Sequence, residues 1–235
     1  MKEKLIQSRT QLLENIKKVY QDKYDLGFLS GSLSGDRSDA LSDIDVWLVV
    51  DESKLDNLME NRFDHFKQVG EIAHLCEPPQ HSPVQGISST VIYKHGDILT
   101  EVDYYLSSTQ TAKFIENAKI LFGEVNIPQG QGFPENATEH RPINETFRVD
   151  FLLMLLFISV KKTYRNDKKY SDMFSGHYHK LKTDYGFDNF PEIKNNYDFA
   201  TLREYIKAIE PETNEKQRRF LGEIEAFMEK VVNEL

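Results

Sequence analysis

Leu5, Ile6, Leu12, Leu13, Ile16, Val19 and Tyr20 recur at the three- and four-residue spacing of one helix face, which predicts an amphipathic helix over residues 3–22. The period then shortens. Residues 26–29 read as a strand that stops at Ser30-Gly31-Ser32, and a polar loop with Asp36, Arg37 and Asp39 runs on to Ser42. Residues 43–50 alternate as a strand, with Ile44, Val46, Leu48 and Val50 on one face and Asp43, Asp45 and Trp47 on the other.

Ser53 is a candidate N-cap for a helix reaching about residue 67, with Leu55, Leu58, Met59, Phe63 and Phe66 inside it and Gly70 just past its end. The stretch 72–106 is strand-like, and His95-Gly96-Asp97 reads as a hairpin turn between 91–94 and 98–106. In the second arm Leu99, Glu101, Asp103 and Tyr105 share a face. A helix is expected over 108–122, on the stripe Phe114, Ile115, Ala118, Leu121 and Phe122, with Gly123 as its stop. Residues 124–142 hold three of the eight prolines, which makes this stretch the expected linker. Beyond it, helices are expected over 144–165, 168–184, 198–209 and 213–234, with Gly186 and Pro191 marking a break. The pattern therefore predicts an α+β fold, a mixed sheet with flanking helices over 1–123, followed by an all-helical C-terminal domain over 143–235.

Composition narrows the partners. The chain of 235 residues carries a formal net charge of −9 and shows no basic stripe, which argues against a nucleic-acid partner and suits a small cationic one. The longest apolar run, 151–160, is too short to span a bilayer and reads as buried helix. The apolar surface of the 144–165 helix is wide enough to serve a homodimer. Cys76 is the single cysteine, so no internal disulfide can form, and the first residues lack the apolar core of a secretory signal. A cytoplasmic location is expected.

The chemistry-bearing residues lie in the first half. Asp43 and Asp45 point the same way from one strand, and Asp103, or alternatively Glu101, points from another. Crowded carboxylates repel and call for a cation, and three of them from adjacent strands can hold two Mg²⁺ ions. Mg²⁺ keeps waters and takes one or two carboxylates plus substrate phosphates, so a nucleoside triphosphate completes such a site. Gly31 permits close backbone approach, Ser32 offers a hydroxyl and an N–H to phosphate, and Arg37 could neutralise a leaving pyrophosphate. Trp47 and Tyr105, on the same faces, either stack on a base or pack beneath the site. Lys161, Lys162, Tyr164 and Arg165 end an apolar helix; they either complement its dipole or reach the triphosphate. His177 and His179 do not face together on a helix, and His74 and His81 straddle Cys76 without zinc spacing.

A Gly-Ser pair, a ten-residue gap, Asp-Ile-Asp opening an apolar strand, and a later Val102-Asp103 resemble the DNA polymerase β-type nucleotidyltransferase superfamily. The stretch SGSLSGDRSDALSDIDVWLVV is most similar to its antibiotic-modifying branch, the aminoglycoside and lincosamide nucleotidyltransferases. The C-terminal half matches only in being helical and, loosely, around KKTYRNDKKY. The resemblance implies transfer of a nucleoside monophosphate, AMP from ATP, to a hydroxyl of a small molecule with release of pyrophosphate. It also implies a catalytic domain followed by a helical substrate-binding domain. Asp43 and Asp45 would bind metal. Asp103 would hold the second metal, activate the hydroxyl, or both. Gly31 and Ser32 would bind the nucleotide phosphates, with Ser42 and Arg37 beside them. Nucleotidylation of a protein acceptor and a non-catalytic nucleotide-binding module remain as alternatives.

Overall fold

The computed structural model describes residues 1–35, 37–78, 81–115, 117–130, 145–167 and 175–235, the last stretch without residues 177, 180, 181, 184–189, 193 and 195–197. The chain divides into two compact units, Lys2–Arg141 and Pro142–Leu235.

The first unit is built on a six-stranded mixed sheet of order β3-β4-β5-β2-β1-β6. Its strands are β1 (Leu26–Ser30), β2 (Ile44–Val50), β3 (Glu71–Cys76), β4 (Ile87–His95), β5 (Ile98–Ser108) and β6 (Lys119–Gly123). Only β2 and β5 run parallel; the other four pairings are antiparallel. The expected alternation holds on both central strands. Ile44, Val46, Leu48, Val102 and Tyr104 pack into one core with Leu12 and Ile16 of helix α1 (Lys2–Tyr20). Phe66 of helix α3 (Arg62–Val69) joins them. On the opposite face Phe28, Trp47, Val49 and Tyr105 pack with Ala112, Ile115 and Ile127. Gly96, at φ 62°, turns the β4–β5 hairpin at the predicted place.

Three local expectations give way. The helix expected over 53–67 is two, α2 (Glu52–Glu60) and α3. Asp51, not Ser53, caps the first, accepting from the Ser53 N–H at 3.0 Å and the Ser53 hydroxyl at 2.6 Å. The break falls at Asn61, whose side-chain amide donates to the Asn57 carbonyl at 2.8 Å, a local bond that competes with helix propagation. Gly70 does follow α3, but in extended backbone rather than as a left-handed cap.

The helix expected over 108–122 is absent. One turn closes at Ala112, Asn117 enters the left-handed region at φ 62°, and β6 then pairs antiparallel with β1. A short apolar run does not separate strand from buried helix by spacing alone. What decides is the bare Cα of Gly27: Phe122 lies opposite it, and a Cβ there would run into the Phe122 ring. Gly123, at φ 74°, ends a strand rather than a helix.

The stretch read as linker also begins later than 124. The Phe114 N–H donates to the Pro128 carbonyl and the Gly130 N–H to the Phe114 carbonyl, and Ile127 is buried against the sheet. Residues 131–142 of that stretch lie outside the described residues.

The second unit contains α4 (Glu145–Tyr164), α5 (Phe199–Ile209) and α6 (Glu215–Glu234), close to the predicted spans. Asp198 caps α5, and an Asn214–Gln217 capping box opens α6. The apolar surface of α4 is buried in the chain itself: Leu152 to Phe157 are all inaccessible, and Phe157 meets Phe227 of α6 at 5.2 Å between ring centroids. The helix expected over 168–184, with His177 and Gly186, lies largely outside the described residues. Among the described residues, no helix is long and apolar enough to cross a membrane.

Two outcomes test this packing. Gly27→Ala should destabilise the protein by about 1–3 kcal/mol through overpacking. Combined with Phe122→Ala, which makes room for the new methyl, that cost should vanish in a double-mutant cycle; additive effects would mean the two residues do not oppose each other. In the second unit, Asp150 on α4 accepts from Gln217 Nε2 at 3.0 Å, and burial raises its carboxyl above the ordinary range against the pull of that bond and of Lys216. A raised folded-state carboxyl stabilises when protonated, so its contribution is present at low pH. It is lost as pH rises from about 4 through the folded-state value. Asp150→Asn should therefore gain in melting temperature over the wild type as pH climbs from 4 to 7, and a pH-independent difference would contradict the assignment.

Candidate functional site

The lattice of the sheet determines which side chains meet. Trp47 pairs with Phe28 on one side and Tyr105 on the other, one side chain from each of β1, β2 and β5. Their rings stack, Trp47 on Tyr105 at 4.6 Å and on Phe28 at 5.9 Å between centroids. All three rings are buried, so Trp47 and Tyr105 form an aromatic base beneath the polar residues rather than a surface for a nucleobase. The Trp47 indole N–H donates to the Ser30 hydroxyl at 3.3 Å, fixing the ring row to the next row.

That next row crosses four strands: Ser30 of β1, Asp45 of β2, Asp103 of β5 and Thr90 of β4 are successive register partners. One step further along the same face stand Glu101 on β5 and, just ahead of β2, Asp43. Carboxylate oxygens of Asp43, Glu101 and Asp103 come within 4.8 Å of one another. Asp43, Asp45 and Asp103 are half-buried, whereas Glu101 is buried. The exposed strand position that Glu101 could have occupied is thus excluded.

Electrostatics record the crowding. The Asp103 carboxyl is pushed well above the ordinary range, first by desolvation, then by the charges of Glu101, Asp45 and Asp43. The Thr90 hydroxyl, donating to Asp103 Oδ1 at 2.5 Å, pulls the other way. Burial and the same four carboxylates raise the Tyr105 phenol. An all-oxygen, strongly acidic donor set of this size matches a hard divalent cation.

Because β1 runs antiparallel to β2, its end meets the beginning of β2, and a 3₁₀ turn, Gly31–Ser34, leaves β1 beside Asp45. Gly31 has φ 67°, and a Cβ there would run into Asp45 Oδ2. The position needs glycine twice over, for its backbone and for the carboxylate against it. The Ser32 hydroxyl is shielded from water and has no hydrogen-bond partner among the described residues. A buried, unpaired hydroxyl is costly.

The other two expected phosphate-site residues stand differently. Arg37 is on an exposed turn. Ser42 is buried, and its hydroxyl accepts from the Asp39 N–H at 2.9 Å and donates to Asp39 Oδ1 at 3.2 Å, closing the loop that precedes Asp43. Lys161 is buried with its ammonium 5.4 Å from the Phe157 ring centroid, and Tyr164 is exposed.

Sequence reasoning missed the contribution of α1. Ser8 and Arg9 are buried on its inner face, Ser8 bonded to Thr100 of β5 at 3.0 Å and Arg9 to the Asp39 and Ser42 carbonyls. The signal was two polar residues at the i+3 and i+4 positions from Leu5, on the helix's apolar stripe.

The chain matches no protein-family model, and no curated protein matches it.

The crowding itself can be measured. In EDTA, Asp103→Asn should melt higher than the wild type, by about 2–4 °C for each ~1 kcal/mol of relieved repulsion in a chain of this size. Mg²⁺ at millimolar concentration should raise the wild-type melting temperature and leave that of Asp103→Asn nearly unmoved. Equal Mg²⁺ shifts in both proteins would show that Asp103 holds no cation.

Proposed function

We propose that the chain is a Mg²⁺-dependent nucleotidyltransferase with a DNA polymerase β-type catalytic unit. It transfers a nucleoside monophosphate, AMP from ATP, to a hydroxyl of a small molecule of the aminoglycoside or lincosamide kind. The observation that carries this reading is the meeting, at one end of the sheet, of the Gly31-Ser32 turn with Asp43, Asp45 and Asp103. Neither half is distinctive alone; a phosphate-binding turn beside a crowded carboxylate set is what nucleotidyl transfer needs.

Asp43, Asp45 and Asp103 would hold Mg²⁺, and the fit rests on their all-oxygen donors and the mutual repulsion that raises Asp103. Bound there, Mg²⁺ supplies charge neutralisation for the phosphates and for the pyrophosphate that departs. The chain's own residues do the rest. The Ser32 hydroxyl donates to a phosphate oxygen, the acceptor for which it lacks a partner. Gly31 gives the phosphates access to backbone amide groups without displacing Asp45. Thr90 keeps the Asp103 carboxylate turned toward the cluster. The acceptor oxygen bonds to the α-phosphorus, the bond from that phosphorus to the pyrophosphate oxygen breaks, and the hydroxyl proton passes to the carboxylate set. Positioning and charge carry such a reaction, with no covalent enzyme intermediate. The second unit would supply acceptor binding, and the net charge of −9 favours a cationic acceptor.

The test is incubation with α-labelled ATP, Mg²⁺ and a panel of aminoglycosides and lincosamides. The expected outcome is pyrophosphate release and a labelled acceptor. Asp43→Asn and Asp45→Asn should each cut turnover by about 10²–10³-fold, the range for removing one dedicated stabiliser of transition-state charge. Both variants should keep the wild-type circular dichroism spectrum. Full activity in both would remove these residues from the site, and no product with any acceptor would remove the reading.

A further inference from the structure

Asp43 and Asp45 are held by different means. Asp45 sits inside the β2–β5 ladder, opposite Asp103. The ladder begins at Ile44 with its partner Val102, so Asp43 lies just outside it. Yet its carboxylate must meet those of Glu101 and Asp103.

The anchor comes from α1. Arg9 is buried, and its Nη1 donates to the Asp39 carbonyl at 2.5 Å and to the Ser42 carbonyl at 3.3 Å, the latter one residue ahead of Asp43. Between those carbonyls the loop is closed on itself: Asp39 Oδ1 accepts from the Leu41 N–H, and the Ser42 hydroxyl bridges the Asp39 N–H and carboxylate. The turn is thereby closed on itself, and the Arg9 guanidinium bonds both of its ends to α1. The residue before it, Ser8, is bonded to Thr100, next in sequence to Glu101. One turn of α1 therefore holds the approach to Asp43 and the strand that carries Glu101. A buried guanidinium is costly to keep, and a merely packing role on this stripe would be met by leucine or methionine.

We infer that Arg9 is a positioning residue, which acts through the Asp39–Ser42 turn to place the Asp43 carboxylate against those of Glu101 and Asp103. It touches neither nucleotide nor acceptor. The inference rests on the proposed function only in taking the carboxylate cluster as a divalent-cation site.

The experiment compares the wild type, Arg9→Met, Arg9→Lys and Ser42→Ala in the full chain. Mn²⁺ affinity is read by electron paramagnetic resonance on protein shown to be folded by circular dichroism, and kcat and KM for ATP are read beside it. Arg9→Met should weaken Mn²⁺ binding by about tenfold or more and lower kcat, while the circular dichroism spectrum stays that of the wild type. Arg9→Lys, which keeps one donor, should recover part of the Mn²⁺ affinity. Ser42→Ala opens the same turn without touching the buried charge and should weaken Mn²⁺ in the same direction by a smaller factor; it carries the test should Arg9→Met fail to fold. A lowered melting temperature with wild-type Mn²⁺ affinity would overturn the inference, because packing alone predicts that result. So would a wild type that binds no Mn²⁺. A wild type that binds Mn²⁺ yet transfers no nucleotide would overturn the proposed function and leave this inference standing on the metal measurements.

Discussion

The parallel pairing of β2 with β5 is the constraint on which the first unit depends. It sets Asp45 directly beside Asp103 on one face of the sheet, and like charges at neighbouring strand positions cost stability. The two flanking carboxylates, Asp43 and Glu101, add to the charge rather than offset it. A protein selected only to fold would not keep this arrangement, since any of the four could be made neutral without loss of core packing. The remainder of the unit supplies the stability that the row gives up. Ile44, Val46, Val102 and Tyr104 bury the reverse face under α1 and α3, and the Phe28–Trp47–Tyr105 stack makes the carboxylate face itself apolar one row down.

Topology explains why the Gly31–Ser34 turn and the carboxylates arrive together. A parallel partner cannot be reached by a tight turn, so the chain leaves β2, builds α2, α3, β3 and β4, and returns as β5. The antiparallel neighbour β1 needs no such crossover: residues 31–43 join it to β2, and that connection opens at the end of the sheet where Asp43 and Asp45 begin. The close approach at Gly31 follows from this geometry: the backbone turns out of β1 against a carboxylate of the adjacent strand, and only a residue without a Cβ fits.

How much of this could be read from sequence follows from the length over which each signal repeats. The two central strands were legible because Ile44–Val50 and Ile98–Ser108 are rich in β-formers, and the two-residue period of a strand assigns each side chain a face, so that Asp43, Asp45 and Asp103 could be placed together. The burial of Glu101 was not legible, because alternation gives the face and not the depth. β6 was misread, since Phe114, Ile115, Ala118, Leu121 and Phe122 fit a helical stripe and the deciding fact, a bare Cα at Gly27, lies far upstream. The same limit hid the bonds of Ser42 to Asp39, which close the loop ahead of Asp43 and could not be read from spacing.

Two kinds of support therefore act on one carboxylate cluster. Asp45 and Asp103 are held by ladder hydrogen bonds that can be lost only by opening the sheet, and Thr90 adds a third fixed point. Asp43 follows a loop whose Asp39 and Ser42 carbonyls accept from a buried guanidinium on α1. The ladder therefore supports one side of the cluster, and a loop bonded to α1 leads into the other. Under the function proposed above, a site that admits a cation with its phosphates and releases both would gain from support of two kinds: the ladder would set the geometry, and the loop side would complete it. On that proposal Asp43, the residue next to the loop that Arg9 bonds, is where occupancy of the site would be coupled to the conformation of the loop.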